Sequence, residues 1–131
     1  MPPPTKIAAL AAAAVVAACA AAPTADWREF DRSEVGAEPA VHLFYDAASL
    51  RRSGDLVTVR VRGDATAPGG RTMRTLIDLE IDCRLNRYRT LGSAEVDAAG
   101  RVIRPLEKAE ATMAAIAPGT IEAILFPHIC R

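Results

Sequence analysis

The chain has 131 residues, which favours one domain, and about half of them are apolar, a share inflated by alanine, so the core it can build is modest. Sixteen basic side chains balance sixteen acidic ones. That balance excludes a general nucleic-acid binder, which needs a basic surplus to displace counterions from phosphates.

The amino terminus does not read as domain. Met1-Pro2-Pro3-Pro4-Thr5-Lys6 is followed by an uncharged, alanine-rich run over 7–22. A short basic region, an apolar stretch and small residues at the cut are the marks of a signal peptide. The run is too short and too rich in alanine to make a good bilayer span. Val16-Ala17-Ala18-Cys19 matches the lipobox of bacterial lipoproteins, in which small residues fit the peptidase and the following thiol receives the diacylglycerol. The expected organisation is a signal peptide over 1–18, a tether over 19–25 and a domain over 26–131. Cleavage before Cys19 removes Lys6 alone, leaving 15 basic and 16 acidic side chains, a net charge of −1. Two other readings stay open. Cys19 belongs to a discarded signal cut after Ala18-Cys19-Ala20, or the segment stays as an uncleaved anchor.

Within the body of the chain the apolar period becomes two. Residues 27–30 read as an edge strand and residues 41–45 as a further strand, with Asp46-Ala47-Ala48-Ser49-Leu50 as one helical turn after it. Val57-Thr58-Val59-Arg60-Val61-Arg62 alternates apolar and polar, as a strand with one buried face does. Met73, Thr75, Ile77, Leu79, Ile81 and Cys83 form a longer alternating set, with Arg74, Asp78, Glu80 and Asp82 on the other side and Leu76 as the exception. Residues 86–91 and 101–106 read as strands too. Ser53-Gly54-Asp55, Pro68-Gly69-Gly70, Arg84-Leu85-Asn86 and Ala99-Gly100 supply turns. Connections this short imply an antiparallel meander, of about five to six strands.

The carboxy terminus returns to helical spacing. Ile121, Ile124 and Leu125 share a face, Thr120 can cap the amino end or Pro118 can sit in the first turn, and Pro127 is expected to end or kink the helix. A lone helix after many strands must lay its apolar face on the sheet. Cys83 faces that side, so a Cys83–Cys130 disulfide would pin the helix there. Cys19 is then the odd cysteine of an exported chain, placed where a lipidated one belongs.

Chemistry-bearing patterns are sparse. His42 and His128 are the only histidines, and no Cys/His spacing resembles a zinc site. Ser49 and Ser53 lack an evident base, and no glycine-rich phosphate loop leads from a strand into a helix. The expectation is therefore no enzyme, no metal and no cofactor. Arg60, Arg62, Arg74, Arg87 and Arg89 are expected to cross-pair with Asp78, Glu80 and Asp82 on neighbouring strands. The competing reading makes them an anion- or protein-binding patch.

Several of these segments together resemble the surface-adhesin protein E family of Gram-negative bacteria. They are Trp27, then Leu43-Phe44-Tyr45-Asp46-Ala47-Ala48-Ser49-Leu50-Arg51-Arg52-Ser53-Gly54, then Val57-Thr58-Val59. Leu79-Glu80-Ile81-Asp82-Cys83-Arg84-Leu85-Asn86-Arg87-Tyr88-Arg89 follows, and Ile116-Ala117-Pro118-Gly119-Thr120 precedes the terminal Cys130. The resemblance implies an α+β, mostly β fold: a curved antiparallel sheet with a carboxy-terminal helix tied to its concave side by a disulfide. It implies a surface or periplasmic location, outer-membrane-anchored through lipid or soluble. It further implies binding of host extracellular-matrix or serum proteins, including vitronectin and laminin, and an ability to form homodimers. The basic stretch the family uses for vitronectin is thinned here to Arg71 and Arg74, the two candidate partner-binding residues. The short loop over 63–70 carries no lysine.

Overall fold

The computed structural model describes residues 24–131, so the expected signal peptide, Cys19 and most of the tether lie outside the described residues. The strands are β1 (Trp27–Arg32), β2 (Ala40–Asp46), β3 (Arg51–Ser53), β4 (Leu56–Thr66), β5 (Thr72–Asp82), β6 (Arg87–Val96), β7 (Val102–Glu107) and β8 (Ala114–Ala115). One helix, α1 (Ile121–Ile129), follows them. The sheet runs β1-β2-β4-β5-β6-β7 with every pairing antiparallel. This six-stranded path is the expected meander. The short β3 and β8 lie beside it, β3 on β4 and β8 on β6. Neither shows an alternating pattern: β3 is three exposed residues and β8 two alanines, each placed by its pairing with a longer strand.

Register decides the faces. Val57, Val59 and Val61 stand opposite Ile81, Leu79 and Ile77. With Tyr45, Ile116, Leu125 and Ile129 they make the core between sheet and helix. Leu125 and Ile129 are 0 % exposed, one helical turn apart, so α1 lies along the sheet on that stripe. Thr120 caps the helix: its hydroxyl accepts from the Ala123 amide at 3.2 Å and donates to the Ala117 carbonyl at 2.8 Å. A disulfide joins Cys83, just past β5, to Cys130, just past α1, with Cα atoms 5.4 Å apart.

Pro127 does not end the helix. It lies within α1, two residues before its end, and is exposed. One backbone hydrogen bond is forfeited there, since proline has no amide hydrogen. The last turn is held by other means. Ile129 is buried, the Cys130 amide donates to the Phe126 carbonyl at 2.8 Å, Arg52 donates to the Ile129 carbonyl, and the disulfide follows.

β6 is longer than the alternation suggests, because its phase changes partway. Thr90 opposes Leu79 and Gly92 opposes Asp78, so Leu91 is an extra residue, a bulge. Beyond it Val96 opposes Arg74 and is 3 % exposed on the face away from the helix. Leu76, the exception in β5, is on that same face by simple alternation with Arg74 and Asp78, and Ala94 of β6 stands beside it.

The motif residues have structural work. The Asp46 carboxylate accepts from the Asp26 and Ala48 amides at 2.8 and 3.0 Å, capping the 3-10 turn Ala47–Ser49. The Ser49 hydroxyl donates to the Asp46 carbonyl and accepts from the Arg60 amide, tying that turn to β4. Asp82 accepts from the Arg84 and Leu85 amides, both at 3.0 Å, and Asn86 at φ 55° completes the β5–β6 hairpin. In the β4–β5 turn, Gly69 and Gly70 take φ values of 96° and 88°, a region costly to any residue with a Cβ.

Candidate interaction surface

Alternation along β4 and β5 sends the charged residues to the face away from α1. On that face, three cross-strand ion pairs form between described residues directly opposite in register. Arg60 grips Asp78 with Nε and Nη2 at 2.8 and 3.1 Å, Arg74 grips Asp64 at 2.9 and 3.3 Å, and Arg89 reaches Glu80 at 2.9 Å. The Arg60–Asp78 and Arg89–Glu80 pairs are among the expected ones. Asp64 is a partner the sequence reading did not name. Arg87 stands opposite Asp82, whose Oδ1 instead serves the turn amides.

Arg62 differs from its neighbours. Its partner in register is Leu76, and its guanidinium carbon lies 4.8 Å from the Trp27 ring centroid and 4.3 Å from that of Phe44. Such stacking holds a cation through the ring quadrupole. Among the described residues only the Asp64 carboxylate approaches it, at 3.4 Å from Nε. Burial pulls the Arg62 pKa below the ordinary arginine value; Asp64 opposes that shift and the Arg74 cation adds to it. A surface pocket of about 170 Å³ is lined by Trp27, Arg62, Arg74, Leu76, Val96 and the β6–β7 turn.

The two arginines singled out as partner-binding candidates are not alike. Arg71 is exposed in the β4–β5 turn. Arg74 is half-buried, tied to Asp64, with Nη1 at 3.4 Å from the Ala98 carbonyl. The pocket contains Arg74 but not Arg71. Arg62, which makes the pocket, was legible only as one of several polar-face arginines. The one hint was the single Trp at the head of β1.

At the far edge, all six residues of β7 are exposed, with Val102, Ile103 and Leu106 presenting large apolar side chains. Arg104 and Pro105 interrupt that row, as edge strands that resist indiscriminate pairing do. The histidines lie apart. His42 is 3.5 Å from Glu29 on the charged face, while His128 of α1 packs near Phe30 and Tyr45. Among the described residues, no three His, Cys, Asp or Glu side chains are placed to hold a metal ion. No helix there is long and apolar enough to cross a membrane.

A family model described as surface-adhesin protein E matches residues 27–131. No curated protein and no solved structure gives a significant match.

Proposed function

Because the chain belongs to the surface-adhesin protein E family, we propose that it is an exported bacterial envelope protein, lipid-anchored at Cys19, that holds a partner protein on the sheet face opposite α1. The observation that carries this reading is the asymmetry of the sheet. One face is closed by a disulfide-tied helix, and the other presents arginines and carboxylates bordered by the apolar edge β7. Partners of the class the family binds are host extracellular-matrix and serum proteins. No catalytic step is proposed, and the Ser49 hydroxyl is engaged in the turn it builds.

A second reading, a periplasmic structural lipoprotein with no host ligand, draws on the internal pairing of the charged face. Protease applied to intact cells separates the two. Loss of the domain supports an outward-facing adhesin, and survival until the outer membrane is opened supports the periplasmic resident.

Anchoring has its own test. Intact-mass measurement on protein from the envelope is expected to show residues 19–131 plus acyl mass on Cys19. A mature amino terminus at Ala21 or later would favour simple secretion.

Arg71→Ala is expected to weaken capture of immobilised vitronectin or laminin while leaving the unfolding midpoint unchanged, because exposed turn charges contribute little to folding. Arg74→Ala is a poorer probe, since loss of its fork to Asp64 costs about 0.5–1 kcal/mol after allowance for its partial exposure. Equal capture by Arg71→Ala and wild type would remove Arg71 from the binding surface.

A further inference from the structure

We propose that the pocket between Trp27, Arg62 and Arg74 is a carboxylate-binding subsite, built to take an acidic side chain or a free chain terminus of a partner polypeptide. The proposal deepens the partner-binding reading and rests on it for the source of the carboxylate.

Three observations converge on Arg62. First, a guanidinium carries five N–H donors, and among the described residues the Arg62 side chain finds no hydrogen-bond partner, although it is only 15 % exposed. Its Nε is buried with no hydrogen-bond partner. The neighbouring arginines Arg60, Arg74 and Arg89 all donate to carboxylates. Second, charge is left over. Arg62 and Arg74 share the single carboxylate of Asp64, and Arg74 already takes both of its oxygens. One positive charge beside the pocket is therefore unneutralised. Third, the shape fits. The guanidinium carbon lies over the Trp27 and Phe44 rings, and Arg62 lines the pocket that an anion would enter. Leu76, Val96 and Trp27 form an apolar wall. That wall lowers the local dielectric, strengthens a charge-assisted hydrogen bond and accommodates methylene groups carrying the carboxylate.

A planar monoanion matches a planar fork with one surplus charge. A phosphate dianion would bring one charge too many. The pocket's lining residues Arg74, Val96 and Ala98 also line an adjoining groove that holds Met73 and Ile103, so a polypeptide seated by its carboxylate has apolar surface within reach.

Trp27 is the only tryptophan in the chain and stacks on Arg62, so its emission reports on the pocket directly. The disulfide-intact mature protein is titrated with acetate, with an amide-capped peptide containing one Glu, and with an acid-free peptide bearing a free carboxy terminus. Chloride and inorganic phosphate at matched ionic strength are the controls. A saturable emission change is expected, with acetate binding on the order of 1 mM and one of the two peptides about tenfold tighter; which peptide it is identifies the source. Arg62→Lys, which keeps charge but loses the fork, is expected to abolish saturation. Should that variant not fold, the Arg62 Nε–H resonance of the wild-type protein is followed instead and must shift with carboxylate. A response equalled by chloride, a preference for phosphate, an unmoved Nε–H resonance or full binding by folded Arg62→Lys would each overturn the proposal. Saturable carboxylate binding without capture of any matrix or serum protein would leave the subsite standing and sink the partner reading.

Discussion

Replacing Cys83 or Cys130 with Ser is expected to destabilise the domain by about 2–5 kcal/mol, with the end of α1 released first. The two residues are 47 apart in sequence. In the chain-entropy model a loop of that span removes roughly 4 kcal/mol of freedom from the unfolded chain. The bond also acts on the weakest part of the helix. Pro127 forfeits a backbone bond in the last turn, and one partner of that turn is the Arg52 side chain reaching the Ile129 carbonyl. Without the bond, residues beyond Leu125 keep the burial of Ile129, the packing of Phe126 and His128, the Cys130 amide bond to Phe126 and this contact. Urea unfolding of Cys130→Ser against the oxidised parent measures the global loss. Amide exchange distinguishes its origin: protection is expected to fall around Phe126 and Cys130 well before it falls in β4 and β5. Equal midpoints, or exchange rising uniformly across the sheet, would show that the bond is not what keeps the helix seated.

Much of this fold was legible because its strands obey a period of two and its turns carry their own chemistry. The Val57-Val59-Val61 and Ile77-Leu79-Ile81 rows announce both the buried face and, through the intervening charges, the exposed one. The failures have specific causes. The Leu91 bulge inverts the phase of β6, so Val96 is on the opposite face from Thr90 despite an even spacing. Pro127, expected to end or kink the helix, does not end it. The partners that overrule it (a disulfide, a buried Ile129 and Arg52) are distant in sequence or lie beyond the proline itself. The pocket was the least legible part. Trp27, Arg62, Arg74 and Val96 come from four different strands, and only the register of β1, β2, β4, β5 and β6 brings them together. Residue types alone gave Arg62 the same standing as Arg60, whose charge is fully engaged by Asp78.

Leu125→Ala is expected to cost about 2–5 kcal/mol, among the largest losses any single apolar substitution in this domain can produce. Leu125 is 0 % exposed at the middle of α1 and packs into the cluster formed by Val57, Val59, Leu79 and Ile81. The cavity it leaves has a sheet on one side, which cannot collapse inward, and a helix on the other, whose end is fixed by the Cys83–Cys130 bond. Limited relaxation places the loss toward the upper part of that range. A domain this small has about 5–15 kcal/mol of total stability, so the oxidised variant is expected to fold with a much lower urea midpoint. Combining Leu125→Ala with Cys130→Ser tests whether the two features act on one element. Both hold α1 to the sheet, so once either is lost the helix is already loosened and the second loss is expected to be smaller than it is alone. Strict additivity would mean that core and disulfide stabilise separate parts of the chain. A loss below about 1 kcal/mol for Leu125→Ala would mean that the helix does not close the apolar face at all, and that face would then have to be counted with the exposed surface on which a partner could bind.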